Sequence, residues 1–285
     1  MAESEIPHQD ACLAALRAGD RDRYLCALLT PHGARGAVSA LYGFNLEIAR
    51  IRENITEPTM GEVRLQWWRD FLEGNPHGAA QANPIAAALA ATIDAYGLSV
   101  APFLNMITAR QFDLYDDPMP DRNAFEGYAG ETASTLIQLC IAVLDRDAAS
   151  GSADAAGHAG VAQLVAGTLL LLPVHRSRGQ VYIPGDILRA TGLDRETFLA
   201  GQDGRTIGQA LSAYVSLGRE HLAAARKQSD TLPPACFPAF LPLAMAEPAF
   251  DRADRMGAAL LTQPLQLPQW RRQLRYWRAA RRGRF

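Results

Sequence analysis

The chain has 285 residues, 48% of them hydrophobic and 20% charged, and its formal net charge is −2. That length and apolar share suffice for a full hydrophobic core, and the balanced charge excludes a disordered chain and a nucleic-acid binder. Lys227 is the only lysine, so covalent chemistry on an amine side chain has a single place to occur.

Glu3, Glu5 and Asp10 give an acidic start with no apolar run, which predicts a cytoplasmic, bacterial-type chain without secretory signal or transit peptide. Apolar residues then recur every three or four positions over 11–29 and 37–52, predicting two amphipathic helices. Helices follow over 61–73, 85–96 (opened by Asn83-Pro84), 100–115 and 125–144. Residues 145–160 are rich in Ala, Gly, Ser and Asp and are predicted to form a surface loop. A very apolar, central helix is expected over 161–172 and a long amphipathic one over 205–228. The only strand-like fragment is 180–183. With no internal repeat and short linkers, the pattern predicts an all-α fold: one helical domain over 1–268, with 269–285 as a C-terminal helix of the same domain. The longest apolar run, 169–174, contains Pro173 and is too short to span a bilayer.

Cys12, Cys26, Cys140 and Cys236 are scattered and form no C-x-x-C pair, so they are expected as small buried thiols. His8, His32, His77, His158 and His221 show no metal-ligand spacing, and no metal site is predicted from them.

The tail differs from the body. Seven of the 28 basic residues fall in 269–285, which holds no acid; 21 remain against 30 acids, so the body carries −9 and the tail +7. Trp270, Leu274 and Trp277 fall at i, i+4 and i+7 and make one apolar stripe. Two readings stand. The helix docks on the acidic body by that stripe, or Trp270, Arg271, Leu274, Arg275, Trp277 and Arg278 touch an anionic membrane surface, making the chain peripheral at the inner membrane.

Three segments, in order, resemble the squalene/phytoene synthase family: Arg35 with Ala40-Leu41-Tyr42-Gly43-Phe44; Tyr128-Ala129-Gly130-Glu131-Thr132-Ala133; and Arg178-Gly179-Gln180-Val181-Tyr182-Ile183-Pro184. Asp113 also matches a family aspartate. The resemblance implies an isoprenoid synthase-type helical bundle around a central cavity, and it places Arg35, Tyr42, Asn45, Asp113, Tyr128, Arg178 and Tyr182 among the residues that line it.

An active member ionises an allylic diphosphate with a magnesium cluster, which needs several carboxylates on two facing helices. Where the resemblance places the first aspartate motif, this chain has Ala49-Arg50-Ile51-Arg52-Glu53, and where it places the second, Leu171-Leu172-Pro173-Val174-His175. One carboxylate of four remains, and Pro173 is expected to break the helix that carried the second pair. Together with Gly61-Glu62-Val63-Arg64-Leu65-Gln66-Trp67-Trp68-Arg69-Asp70, these segments resemble the branch of the family that includes complex I assembly factors. That resemblance implies a role in building the NADH dehydrogenase complex, with its subunits or assembly intermediates as partners, no catalytic residue, no cofactor and no metal. Two alternatives stand beside it: an active head-to-head prenyltransferase, using Mg²⁺ and farnesyl or geranylgeranyl diphosphate, and a non-catalytic binder of an isoprenoid or lipid.

Among single residues, Glu47, Arg50, Glu53 and Arg64 are expected either as a buried charge network replacing the metal site or as a surface pair of Glu47 with Arg50. His175, in place of a family aspartate, is expected to face the cavity, as a ligand contact or as a structural histidine. Trp67 and Trp68 point ~100° apart on a helix, so one is expected in the core and the other partly exposed. Asp113, Asp116 and Asp117 are expected to cap and turn the chain before Pro118 rather than to bind metal.

Overall fold

The computed structural model describes residues 6–75, 82–115, 117–265 and 267–285. Glu3, Glu5, His77 and Asp116, used above, lie outside them. Among the described residues there is no strand, and fifteen α-helices follow in order: α1 (Gln9–Gly19), α2 (Arg21–Leu29), α3 (His32–Ala49), α4 (Pro58–Leu72), α5 (Pro84–Tyr96), α6 (Ala101–Arg110), α7 (Arg122–Ala129), α8 (Thr135–Leu144), α9 (Ala153–Leu170), α10 (Leu172–Ser177), α11 (Gly185–Ala190), α12 (Arg195–Ala200), α13 (Gly204–Ser229), α14 (Ala246–Met256) and α15 (Gln269–Arg282). None is long and apolar enough to cross a membrane.

Several expected helices are divided, each at a residue with a local reason. The helix expected over 11–29 breaks at Asp20, whose side chain accepts from the Arg23 amide and starts α2. Pro58 and Pro84 open α4 and α5 in the first turn, and Asn83 caps α5 through the amides of Ile85 and Ala86. Pro173 ends α9 as expected, and α10 restarts around it. The helix over 125–144 widens into a π turn at Gly130–Ser134, between α7 and α8. The fragment 180–183 is irregular and largely buried, not a strand.

The surface loop expected over 145–160 is only half present, because α9 begins at Ala153. Its small residues are a packing surface: Ala155, Ala156, Ala159 and Gly160 are buried, and a Cβ at Gly160 meets the backbone of Ser134. Small side chains read as loop composition are here the means by which a helix approaches another backbone closely.

The helices divide into two compact units. The first comprises residues 1–115, 135–153 and 232–241. Its centre is α3, buried on nearly every side from Gly36 to Ile48 and packed by α1, α2, α5, α6 and α8. Phe44 meets Trp68 edge-on at 5.1 Å and Phe103 at 5.5 Å. Such pairs contribute about 0.5–1.5 kcal/mol each beyond the area they bury. Trp68 is the core tryptophan of its pair and Trp67 the half-exposed one, as the ~100° step requires. The second unit comprises residues 116–134, 154–231 and 242–285. It is built on α13, whose Ile207, Leu211, Tyr214, Val215 and Leu222 are buried against neighbours including α14 and α11. Phe125 meets the Tyr214 ring at 5.5 Å, and the Tyr214 hydroxyl lies 2.7 Å from Thr168 Oγ1. The four cysteines are free and buried, as expected. Burial pushes Cys12 up to about 11 and Cys140 up to about 12, so neither is a nucleophile at neutral pH.

Candidate functional site

Within the first unit, α3 presents Tyr42 and Asn45, both buried, one turn apart on one side. Arg110, ending α6, donates to Asp113 Oδ2 at 2.9 Å and to Asn45 Oδ1 at 3.5 Å. Asp113 lies in the turn after α6. The Arg110 and Asp113 side chains are only 15% and 9% exposed, so the family-type aspartate serves a buried ion pair. Arg23 from α2 lies 5.8 Å from the Tyr42 ring centroid and donates to Asp20 Oδ2 at 2.7 Å. Burial works against the Arg23 charge, but Asp20 outweighs it and holds the guanidinium above its ordinary value. Burial, with Cys140 beside it, pushes the Tyr42 hydroxyl well up. Sequence reasoning missed Arg23, Arg110 and Cys140, since nothing in their spacing joins α2, α6 and α8.

Glu47 and Arg50 leave α3 roughly opposite Asn45, at ~100° per residue. They line a recess of about 440 Å³ in the same unit, with Arg64 and Trp67 of α4, Asn54 and Asn83. The expected buried charge network is absent. Arg50 Nε binds Glu53 at 2.8 Å in a half-exposed pair, and Glu47 is not its partner. Burial raises the Glu47 pKa, opposed by Arg50 and Arg64. Glu47 stands ~200° around α3 from Asn45 and so projects away from it, and Arg50 is engaged by Glu53.

In the second unit the Tyr182 ring sits 4.8 Å from His175 and 6.2 Å from Tyr128, making a row of three rings from α7, α10 and the loop after it. Arg178 caps the end of α10, where Gly179 takes φ +74° and its carbonyl accepts from Arg195 at 2.8 Å. Arg35 stands apart in the first turns of α3, donating to the Thr30 carbonyl at 3.3 Å. Two histidines judged unrelated in sequence meet: His158 and His221 place their Nδ1 atoms 3.0 Å apart, and His221 Nε2 lies 3.4 Å from Glu126.

The stripe of Trp270, Leu274 and Trp277 does not dock α15. Trp270 and Trp277 are 60% and 48% exposed, whereas Tyr276, 1% exposed, and Ala279 form the buried face. Arg275 Nε donates to the Ala244 carbonyl at 2.8 Å, so it fastens the helix to its own unit, while Arg271 and Arg278 are exposed.

The sequence profile for squalene/phytoene synthase matches residues 16–278. The chain belongs to the squalene/phytoene synthase family. This family member is 30% identical over 256 residues to the NADH dehydrogenase (ubiquinone) complex I assembly factor 6 of Homo sapiens, covering 90% of this chain and 76% of that one. It is 26% identical over 189 residues to a 15-cis-phytoene synthase of Synechocystis, covering 62% and 56% of the two chains. Its fold is that of a dehydrosqualene synthase crystallised with a ligand: TM-score 0.79, 15% identity, 96% of this chain and 95% of the other. The all-α isoprenoid synthase fold expected from the sequence is therefore the observed one.

The residues present do not fit the magnesium cluster of an active synthase. Ala49 and Leu171 offer no ligand, Glu53 is held by Arg50, and Asp113 by Arg110. Among the described residues no group of three or more His, Cys, Asp or Glu side chains is placed to hold a metal ion.

Proposed function

We propose that this chain has lost prenyl transfer and serves assembly of the respiratory NADH dehydrogenase complex. One observation carries the reading. On α3, where a synthase needs carboxylates, the chain has Ala49 and a guanidinium at Arg50 that ties up Glu53. A diphosphate leaving group needs several units of positive metal charge, and divalent ions are not held where their anionic ligands are missing. The likeness to assembly factor 6, about 30% over most of the chain, supports the role. On this reading the partners are subunits or assembly intermediates of the complex, and the protein works at the inner membrane. The aromatic row of Tyr128, His175 and Tyr182 suits an isoprenoid or lipid ligand better than a metal.

Two measurements test this. Incubation with farnesyl or geranylgeranyl diphosphate and Mg²⁺, read by mass spectrometry, is expected to give no squalene- or phytoene-type hydrocarbon; such a product ends the reading. Deletion of the gene is expected to lower NADH dehydrogenase activity with loss of the assembled complex on native gels. Unchanged activity leaves a binding protein with no part in assembly.

A further inference from the structure

The C-terminal helix carries an inference independent of the assembly role. Its orientation is fixed. Tyr276 and Ala279 are buried, Arg275 Nε donates to the Ala244 carbonyl, and Arg226 Nε donates to the Phe285 carbonyl at 2.9 Å. The helix is thus fastened along one side and at its end, so its other side faces outward permanently. At ~100° per residue, Trp270, Leu274, Trp277 and Arg281 fall within about 60° of one another on that outward side, with Arg271 and Arg278 next to them.

Two features of this face select its partner. First, Trp270 and Trp277 stand in water at 60% and 48% exposure, though tryptophan favours a boundary where the ring is dry and the indole N–H is wet. Second, Arg271 lies 5.1 Å from the Trp270 ring and Arg281 lies 5.2 Å from the Trp277 ring. Each aromatic wedge therefore carries a guanidinium that binds phosphate by paired hydrogen bonds. Among the described residues, Arg271, Arg278 and Arg281 make no ion pair. We propose that the outward face of α15 seats this protein on an anionic lipid surface, with Trp270 and Trp277 at the headgroup level and Arg271, Arg278 and Arg281 on the phosphates.

The test is sedimentation of the full chain with vesicles of phosphatidylcholine alone or mixed with phosphatidylglycerol. Binding is expected to the mixed vesicles only and to fall steeply with added salt. W270A/W277A and R271Q/R278Q/R281Q are each expected to weaken it about tenfold or more while leaving the thermal midpoint unchanged, since all five side chains are exposed. Failure to bind the anionic vesicles, equal binding to the neutral ones, or full binding by both variants overturns the proposal. Capture by soluble polyglutamate with no vesicle binding also overturns it, and assigns the face to an acidic protein.

Discussion

Replacing Asp113 with alanine removes the carboxylate that accepts from the buried Arg110 guanidinium at 2.9 Å. The expected loss is about 3 kcal/mol in urea unfolding, the usual cost of breaking a buried pair on one side. The residue matches the family in sequence, yet its present partner sets its present role. His221 supplies a second residue-level prediction. Burial lowers its pKa, Glu126 opposes that shift, and His158 adds to it. A histidine depressed in the folded state is bound by protons more readily when unfolded. Its contribution to stability is therefore complete above the ordinary imidazole value near 6.5 and declines as pH falls below it. The thermal midpoint is expected to drop from pH 7 to pH 5, with a shallower slope in H221Q. Glu47, raised by burial, acts with the opposite sign at lower pH, so the wild-type and variant slopes must be compared directly. Neither the histidine pair nor the Arg110–Asn45 contact was legible in the sequence, because 63 residues separate the first two and 65 the second.

At the level of elements, the close approach of α9 to the π turn leaves no room at Gly160. A valine there is expected to cost about 2–3 kcal/mol, the range for overpacking a tight contact, read as a lower unfolding midpoint at unchanged helical content. The same segment explains what the sequence withheld. Apolar periodicity located most helices, because each buries one stripe or more. It failed at 153–160, where small residues mark contact rather than loop, and at Asp20, where a cap interrupts an otherwise continuous pattern. In the tail, periodicity found the Trp270, Leu274 and Trp277 stripe but not its direction. The buried side is carried by Tyr276 and Ala279, and among residues flanked by arginines only the structure distinguishes the two faces.

Across the molecule, the family was legible because three motifs keep their order over most of the chain, and the matching fold follows. The altered aspartate positions were also legible, through the resemblance that places them relative to its motifs. Where their replacements point was not: Arg50 lines the recess beside Glu47 and pairs with Glu53. Adding Mg²⁺ is accordingly expected to leave the thermal midpoint measured with farnesyl diphosphate unmoved, and A49D/R50D is expected to stay inactive because Leu171 and His175 still offer no carboxylate. One helix carrying two separate surfaces has a further consequence. Glu47 at the recess and the buried Tyr42 and Asn45 share the α3 backbone, while Arg64 and Trp67 reach the same recess from α4. Substitution at Glu47, exposed at the recess, leaves the buried side of α3 with Tyr42 and Asn45 in place, so a scaffold of this kind is free to acquire a new docking habit while its interior packing is kept.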